Sequence, residues 1–443
     1  MNYKHFLVLV LCVLHLAVSA QKSLLQSGPM LGYSEMKEVL LWVQTKEAAT
    51  VHFAYWPQGQ TDNIAYTGKK QTSKNQAFVA KLIADQVEPG QRYDYDLYIN
   101  DQKIELDYPT TFQTQTLWQW RTDPPDFTIA LGSCLYINEP KYDRPGTPYG
   151  GEYEILESIH KMRPDAMLWL GDNTYLREVD WFSKTGIQHR YTHSRSVKEM
   201  QALLASTHHY AIWDDHDFGP NNSDRSFFHK DKTKAAFELF WGNPSYGLPQ
   251  LSEPNQGITS YFQWGDIDFF LLDNRYYRNS NYLKVGKKTM LGEEQLDWLL
   301  NALAKSQAPF KMVAIGGQVL NTSKTDETYI NHFEEERAYL LRRIREEGIK
   351  NVVFLDGDRH HTELSQESLA RDQMIYDLTV SPLTSGTGRN VEKDNTNRVN
   401  GTLINQRNFG LLAFSGPQRE RKMKITIYDG KGAELWTRTI ESQ

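Results

Sequence analysis

Four short polar clusters carry most of the reactive side chains of this chain: Gly132-Ser133-Cys134, Gly171-Asp172-Asn173-Thr174-Tyr175, Asp214-Asp215-His216-Asp217 and Asp356-Gly357-Asp358-Arg359-His360-His361. Together they hold a thiol, a phenol, imidazoles and several carboxylates. So many potentially anionic groups, brought together without partners, would repel one another and shift to their neutral forms, whereas bound cations would compensate them. The residue types therefore read as a site for two or more metal ions. Cys134 adds to that reading. A removable leader would take away Cys12, the other of the two cysteines, and an isolated thiol in an oxidising compartment is a liability unless it is buried, nucleophilic or bound to a metal.

Each cluster follows an apolar run. Phe127 to Leu131 precedes Cys134, Ala166 to Leu170 precedes Asp172, Ala211-Ile212-Trp213 precedes Asp214, and Val352 to Leu355 precedes Asp356. Short apolar runs bounded by Gly and Asp predict buried strands, and further ones are expected from Ile267 to Leu272 and from Met312 to Ile315. Between them, Ile155, Ile159 and Met162, then Leu296, Leu299, Leu300 and Leu303, then Leu340, Leu341 and Ile344 recur at helical spacing. Strands alternating with helices predict α/β layering. The carboxyl ends of strands in such sheets share one crevice, so clusters far apart in sequence are expected to converge there.

The region before Pro124-Pro125 has another character. Val39 to Val43, Ala49 to Tyr55 and Tyr93 to Ile99 are rich in branched and aromatic residues, and the last alternates with period two. An immunoglobulin- or fibronectin-like β-sandwich is expected over residues 21–122, followed by the domain that carries the chemistry over 123–443. Lys4, the apolar stretch from Phe6 to Val18 and the small residues Val18-Ser19-Ala20 read as a signal peptide over residues 1–20, too short to span a bilayer. Export to periplasm or medium is the expectation, with no membrane-spanning segment after cleavage. A net charge of -6 over 443 residues gives no global field that recruits nucleic acid or anionic membrane. An anionic substrate would need local cations.

Taken in order, Gly-Ser-Cys, Gly-Asp-x-x-Tyr, Trp-Asp-Asp-His-Asp and Gly-Asp-x-His resemble the PhoD-like alkaline phosphatases, a branch of the calcineurin-like metallophosphoesterases related to purple acid phosphatases. Supporting blocks are Leu272 to Arg278, Met290 to Leu299 and Asn408-Phe409-Gly410, and the resemblance spans about residues 28 to 430. It implies a metallophosphoesterase αββα sandwich behind the small β-sandwich. It also implies iron(III) together with calcium, held by Cys134, Asp172 and Tyr175, with Asp172 bridging the metals and Asp358 and His360 completing the shell. Asp215 stands where the wider superfamily has a metal-binding asparagine, and His216 where it has a catalytic histidine. Asn221 and Asn222 are further candidate ligands, because the inserted Phe218-Gly219-Pro220 leaves the alignment of the asparagine open. Arg359 and the extra His361 depart from the family pattern.

The chemistry fits this set. Phenolate and carboxylate suit a hard trivalent iron, thiolate adds covalency, and carboxylate or amide oxygen suits calcium. Hydrolysis of phosphate mono- or diesters needs charge compensation above all, and two cations clamp phosphoryl oxygens while bringing a bound water to hydroxide near neutral pH. His216 is expected to protonate the leaving group, and Arg275 or Arg359 to pair with nonbridging oxygens. A phospholipase D-like phosphodiesterase is the alternative enzyme. A surface glycan-binding or adhesin protein with a degenerate metal site is the alternative of another class, against which stands the completeness of the ligand set.

Overall fold

The computed structural model describes residues 24–249, 256–325, 327–388, 391 and 393–443. The stretch read as a leader, residues 1–20 with Cys12, lies outside the described residues. The chain divides into two compact units. One comprises the described residues up to Leu117 together with Arg195–His208, and the other Trp118–Ser194 and His209–Gln443.

In the first unit the strands Leu25–Ser34, Val39–Thr45 and Val79–Ala84 pair antiparallel in that order. Thr50–Pro57 and Arg92–Ile99 pair antiparallel at the centre of a second sheet. Period-two alternation in Arg92–Ile99 buries Tyr93, Tyr95, Leu97 and Ile99 and leaves Asp94, Asp96 and Tyr98 half-buried. The buried face meets Leu41, Val43, Val51 and Phe53 in one apolar core, so the unit is a β-sandwich. The Glu88 amide donates to the Tyr93 hydroxyl at 2.7 Å and closes the turn that leads into this strand. Arg195–His208 joins the unit from far along the chain. The Tyr95 hydroxyl donates to the Ala205 carbonyl and the Ser27 hydroxyl to the Arg195 carbonyl, each at 2.8 Å.

The second unit is built on two sheets. In one, the strands run in the order Glu434–Glu441, Lys422–Asp429, Asn408–Ser415, Phe127–Gly132, Ala166–Leu170 and His208–Ile212. In the other, Ile267–Leu271, Lys311–Ala314, Val352–Asp356 and Gln373–Thr379 are parallel, with Ser260–Trp264 and Glu363–Ala370 as antiparallel edges. Alternation along Ile267–Leu271 sends neighbouring rings to opposite faces. Phe269 stacks on Phe262 at 4.6 Å and meets Phe414 of the other sheet at 6.4 Å, while Phe270 turns outward to Trp298 at 6.1 Å. The inner face is thus an aromatic layer, in which Tyr210 and Phe262 stack at 3.7 Å across the two sheets. On the outer face the helices Glu293–Lys305 and Glu334–Glu346 bury Leu296, Leu299, Leu303, Leu340 and Ile344 against Val313, Phe354 and Ile375. The helix Glu154–Lys161 buries Ile155, Leu156 and Ile159, and its Ser158 hydroxyl donates to the Gly430 carbonyl at 3.0 Å beyond the first sheet's strand Lys422–Asp429. Helix, sheet, sheet, helix is the expected layering. Among the described residues no helix is long and apolar enough to cross a membrane.

Phe414 touches Phe127, Phe269 and Phe310 at 4.9, 6.4 and 6.0 Å and is 1% exposed. Phe414→Ala is expected to cost about 3–5 kcal/mol in denaturant unfolding. Tyr282→Ala, at a side chain 85% exposed, should stay within about 0.5 kcal/mol of the parent.

Candidate metal centre

The site forms where strands of both sheets end. Parallel register sets Gly132 opposite Trp169, so the two chains leave the first sheet side by side. The Cys134 amide donates to the Gly171 carbonyl at 3.2 Å and the Leu135 amide to the Asp172 carbonyl at 2.8 Å. The amides of Thr384 and Ser385, after the strand Gln373–Thr379, donate to the Cys134 carbonyl at 3.3 and 3.1 Å. In the second sheet, Val352–Asp356 delivers Asp358 and His360. Gly357 is where the ends meet: a Cβ there would lie 2.5 Å from Ser133 Cβ and 2.8 Å from the Leu170 carbonyl oxygen. Cys134, Asp172, Asp358 and His360 all adopt left-handed backbone, with φ of 59°, 53°, 59° and 54°. Non-glycine residues rarely take this conformation, and such strain concentrates at functional sites where surrounding bonds impose it.

Three sets of donor atoms result, each with its members within 4.8 Å of one another: Cys134, Asp172 and His360; Asp172, Asp215 and His216; Asp214, Asp215 and Asp358. Asp172 belongs to the first two sets and Asp215 to the last two, so they form one continuous chain of donors. Tyr175 closes the first set, its hydroxyl 3.3 Å from His360 Nε2 and its ring 4.3 Å from that of His216. Cys134, Asp172, Tyr175 and Asp215 are buried, whereas His216, Asp358, Arg359 and His360 are half-buried and give the centre its opening to solvent. Asn222 donates its backbone amide to Asp215 Oδ2 at 2.6 Å, while Asn221 is exposed.

The electrostatics are those of a centre built around positive charge. Burial, then the neighbouring carboxylates Asp215, Asp214 and Asp358, holds Asp172 well above the usual carboxylate range. Asp358 is raised in the same way by burial and by Glu327, Asp214 and Asp215. The Cys134 thiol and the Tyr175 phenol are pushed up by burial and by Asp172. Asp215 moves the other way: burial opposes its charge, but His216, Arg275 and the Asn222 amide outweigh it. Of the buried Asp172 and Asp215 pair, Asp215 therefore carries the charge and Asp172 the proton. Burial and the nearby His216 bring His360 down to about 4, so it is neutral at pH 7, as a ligand must be. Asp214 Oδ2 is buried with no hydrogen-bond donor, and Asp215 Oδ1 has none beyond what the Asp172 carboxyl supplies. Thiol, phenol, imidazole and orphaned carboxylate oxygens fit bound cations, which would displace those protons.

The structure places some expected residues away from the opening. Arg275, expected at phosphate, is fully buried, and its guanidinium is spent on Asp214 Oδ1 at 2.5 Å and Glu327 Oε2 at 2.8 Å. It holds a carboxylate of the centre instead of facing solvent. His361 is buried beside Glu363 at 3.7 Å and bonds the Arg359 carbonyl through Nδ1 at 3.0 Å. Asp217 caps the short helix Asp215–Phe218, accepting from the amides of Asp214 and Asn173 at 3.1 and 3.2 Å. Sequence reasoning missed Asp214 as a donor, Asn274, which donates to Asp214 Oδ1 at 2.8 Å, and Glu327, shared by Arg275 and Arg278. The adjacency of Asp214 to Asp215 was the one available signal; Glu327 sits in a loop with no motif.

A family profile described as PhoD-like phosphatase matches residues 129–426. The chain belongs to the PhoD-like phosphatase family. A second profile, a Domain of unknown function (DUF7800), matches residues 22–117. The chain is 23% identical over 359 residues to alkaline phosphatase D of Bacillus subtilis (strain 168), covering 71% of this chain and 59% of that relative's length. The fold of a solved PhoD structure superposes with a TM-score of 0.73 at 17% identity, over 95% of this chain and 93% of that one. The purple acid phosphatase PPD1 from yellow lupin (Lupinus luteus) seeds gives 0.67 at 11% identity, over 94% and 74%. The PhoD-like fold thus brings the four polar clusters together at the strand ends.

The ion pairs of Arg275 set a stability prediction. Arg275→Met should destabilise by about 3–5 kcal/mol at neutral pH, because Asp214 loses its buried cation and Glu327 keeps only Arg278. Arg275 and Arg278 hold Glu327 below its ordinary 4.5 against burial. Its stabilising contribution is therefore complete above about 4.5 and lost as pH falls through the lowered folded value. Urea unfolding against pH should show the gap between parent and variant narrowing as pH falls through that window.

Proposed function

We propose that this chain is a metal-dependent phosphoesterase that hydrolyses phosphate mono- or diesters. The observation that carries the reading is the continuous chain of donors through Asp172 and Asp215, at the mouth of a PhoD-like fold. The first set, Cys134, Asp172 and His360 with Tyr175, suits iron(III), since phenol and carboxylate oxygens match a hard trivalent ion and the thiolate adds covalency. The carboxylates Asp214, Asp215 and Asp358 suit calcium, with Asn222 the better placed of the two asparagines through its bond to Asp215. When bound, such cations neutralise phosphoryl oxygens and acidify a water.

The protein's own groups do the rest. Asp172 and Asp215 would hold the cations, and Arg275 with Asn274 fixes Asp214 from behind. His216, half-buried with a ring nitrogen in the middle donor set, holds a proton for the departing alkoxide. Burial outweighs the opposing pull of Asp215 and Asp214 and lowers its pKa, so an imidazolium formed there would give its proton up readily. Arg359, half-buried beside Asp358, orients the nonbridging oxygens through its planar fork. The exported setting rests on the apolar stretch from Phe6 to Val18.

Turnover of an aryl phosphate, read with and without chelator, tests the proposal. Chelation should abolish turnover together with a visible charge-transfer band from Tyr175 and Cys134 to iron(III), and Tyr175→Phe should shift or weaken that band. Full activity after stripping of all metal would refute the reading. A second measurement separates ligand from acid. His216→Gln should keep the metals and slow alkyl phosphates by about 100-fold to 10,000-fold, with a much smaller effect on activated aryl phosphates, whose leaving groups need little protonation. Equal slowing of both, with metals retained, removes His216 as the acid.

A further inference from the structure

His360 is held at both ring nitrogens, and the partner on its outer side is a residue outside every motif. Tyr149 lies in the loop between Cys134 and the helix Glu154–Lys161. Its hydroxyl is 3.0 Å from His360 Nδ1, while His360 Nε2 is 3.3 Å from the Tyr175 hydroxyl and 3.4 Å from Ser385 Oγ. The side of the ring that faces the donors is therefore Nε2. A nitrogen that binds a cation must offer its lone pair, so the single proton of the neutral imidazole has to sit on Nδ1, and a cation-binding histidine needs an acceptor there. The Tyr149 oxygen lies 3.0 Å from Nδ1, in place to accept there, and the Gly386 backbone also bonds the imidazole.

Tyr149 is itself seated with care. A Cβ on Gly386 would lie 2.7 Å from Tyr149 Cε2, so the ring lies against bare backbone and any side chain at 386 would displace it. Its edge meets Tyr136 at 4.9 Å, and Tyr136 meets Tyr175 at the same distance. Arg407 ties the Tyr149 carbonyl, at 3.4 Å, to the Ser385 carbonyl, at 3.1 Å. Asn138 accepts from the Gly150 amide at 2.9 Å and donates to the Gly150 carbonyl at 2.7 Å, pinning the following residue. A side chain that is 43% exposed does not need this much support for packing alone.

Resting on the metal-centre reading above, we propose that Tyr149, seated on Gly386, is a positioning residue: it accepts the His360 Nδ1 proton and so turns Nε2 toward Cys134 and Asp172. Groups in this relation to a metal-binding histidine are worth about 10-fold to 100-fold in metal affinity or activity. The test measures metal retained by the full chain after dialysis against graded EDTA, with kcat and KM on an aryl phosphate and a thermal melt, in the parent, Tyr149→Phe and Gly386→Ala. Tyr149→Phe keeps the ring in its seat and removes only the oxygen. It should release metal at about 10-fold to 100-fold lower EDTA and lower kcat with KM little changed. Gly386→Ala keeps the oxygen and moves the ring, and should shift metal retention the same way. Tyr149→Phe with parental metal retention and a change in KM alone would make Tyr149 a wall for substrate and overturn the proposal, whether or not Gly386→Ala folds. A parent chain that carries no metal overturns the centre itself and this proposal with it, an outcome distinct from a metal-loaded parent with an indifferent variant.

Discussion

Negative charge gathered at the ends of two sheets is the constraint around which the second unit is arranged. Asp172, Asp214, Asp215 and Asp358 meet within a few ångströms, three of them almost wholly buried. Carboxylates at that separation cannot all ionise unless something positive stands among them. Arg275 meets part of the demand from the inner side, where Glu327 in turn balances it together with Arg278. Among the described residues, the buried ion pairs of these carboxylates are made by Arg275 from the inner side, and the open side suits a bound cation. Arginine inside and metal outside divide one electrostatic problem, which is why a guanidinium expected to touch substrate is found behind the carboxylates.

The fold explains how such a cluster is tolerated. An aromatic layer between the sheets, with Phe269, Phe262, Tyr210 and Phe414 in ring contact, supplies apolar burial that does not depend on the polar end. The strands can therefore end in residues that cost stability. The left-handed backbone at Cys134, Asp172, Asp358 and His360 is imposed by amide bonds such as those from Thr384 and Ser385 to the Cys134 carbonyl, and by the Gly357 backbone against Ser133. Local conformation is set by the frame, and the reactive side chains inherit their directions from it.

Much of this was legible in the sequence because apolar strands announce themselves and the residue after each was polar. Phe127–Gly132, Ala166–Leu170 and Val352–Asp356 follow their expected bounds within a residue, and Cys134, Asp172, Tyr175, Asp215, His216, Asp358 and His360 converge as the strand ends required. What stayed hidden depends on tertiary partners. Glu363–Ala370 has polar residues at most positions and forms a strand only by pairing with Gln373–Thr379. Arg195–His208 joins the first unit through hydrogen bonds to Tyr95 and Ser27 that no local pattern encodes. Arg275 reads the same from sequence whether it faces a phosphate or a buried carboxylate, and Asn221 was separated from Asn222 only by the turn that brings one amide to Asp215.

Asp172 and Asp215 are each counted in two donor sets, so the ends of the chain of donors are not independent binding sites. An ion at the Cys134 end would displace the proton of Asp172, a carboxylate that the middle set also uses, and a second ion would meet a ligand already charged. Asp215 already carries its charge, so in the last set the proton to be displaced sits on Asp358. Ions bound along the row would therefore be linked through the carboxylates they share, Asp172 between the first two sets and Asp215 between the last two. Exchange of an ion at one position would then be felt at the other through the charge of the carboxylate between them.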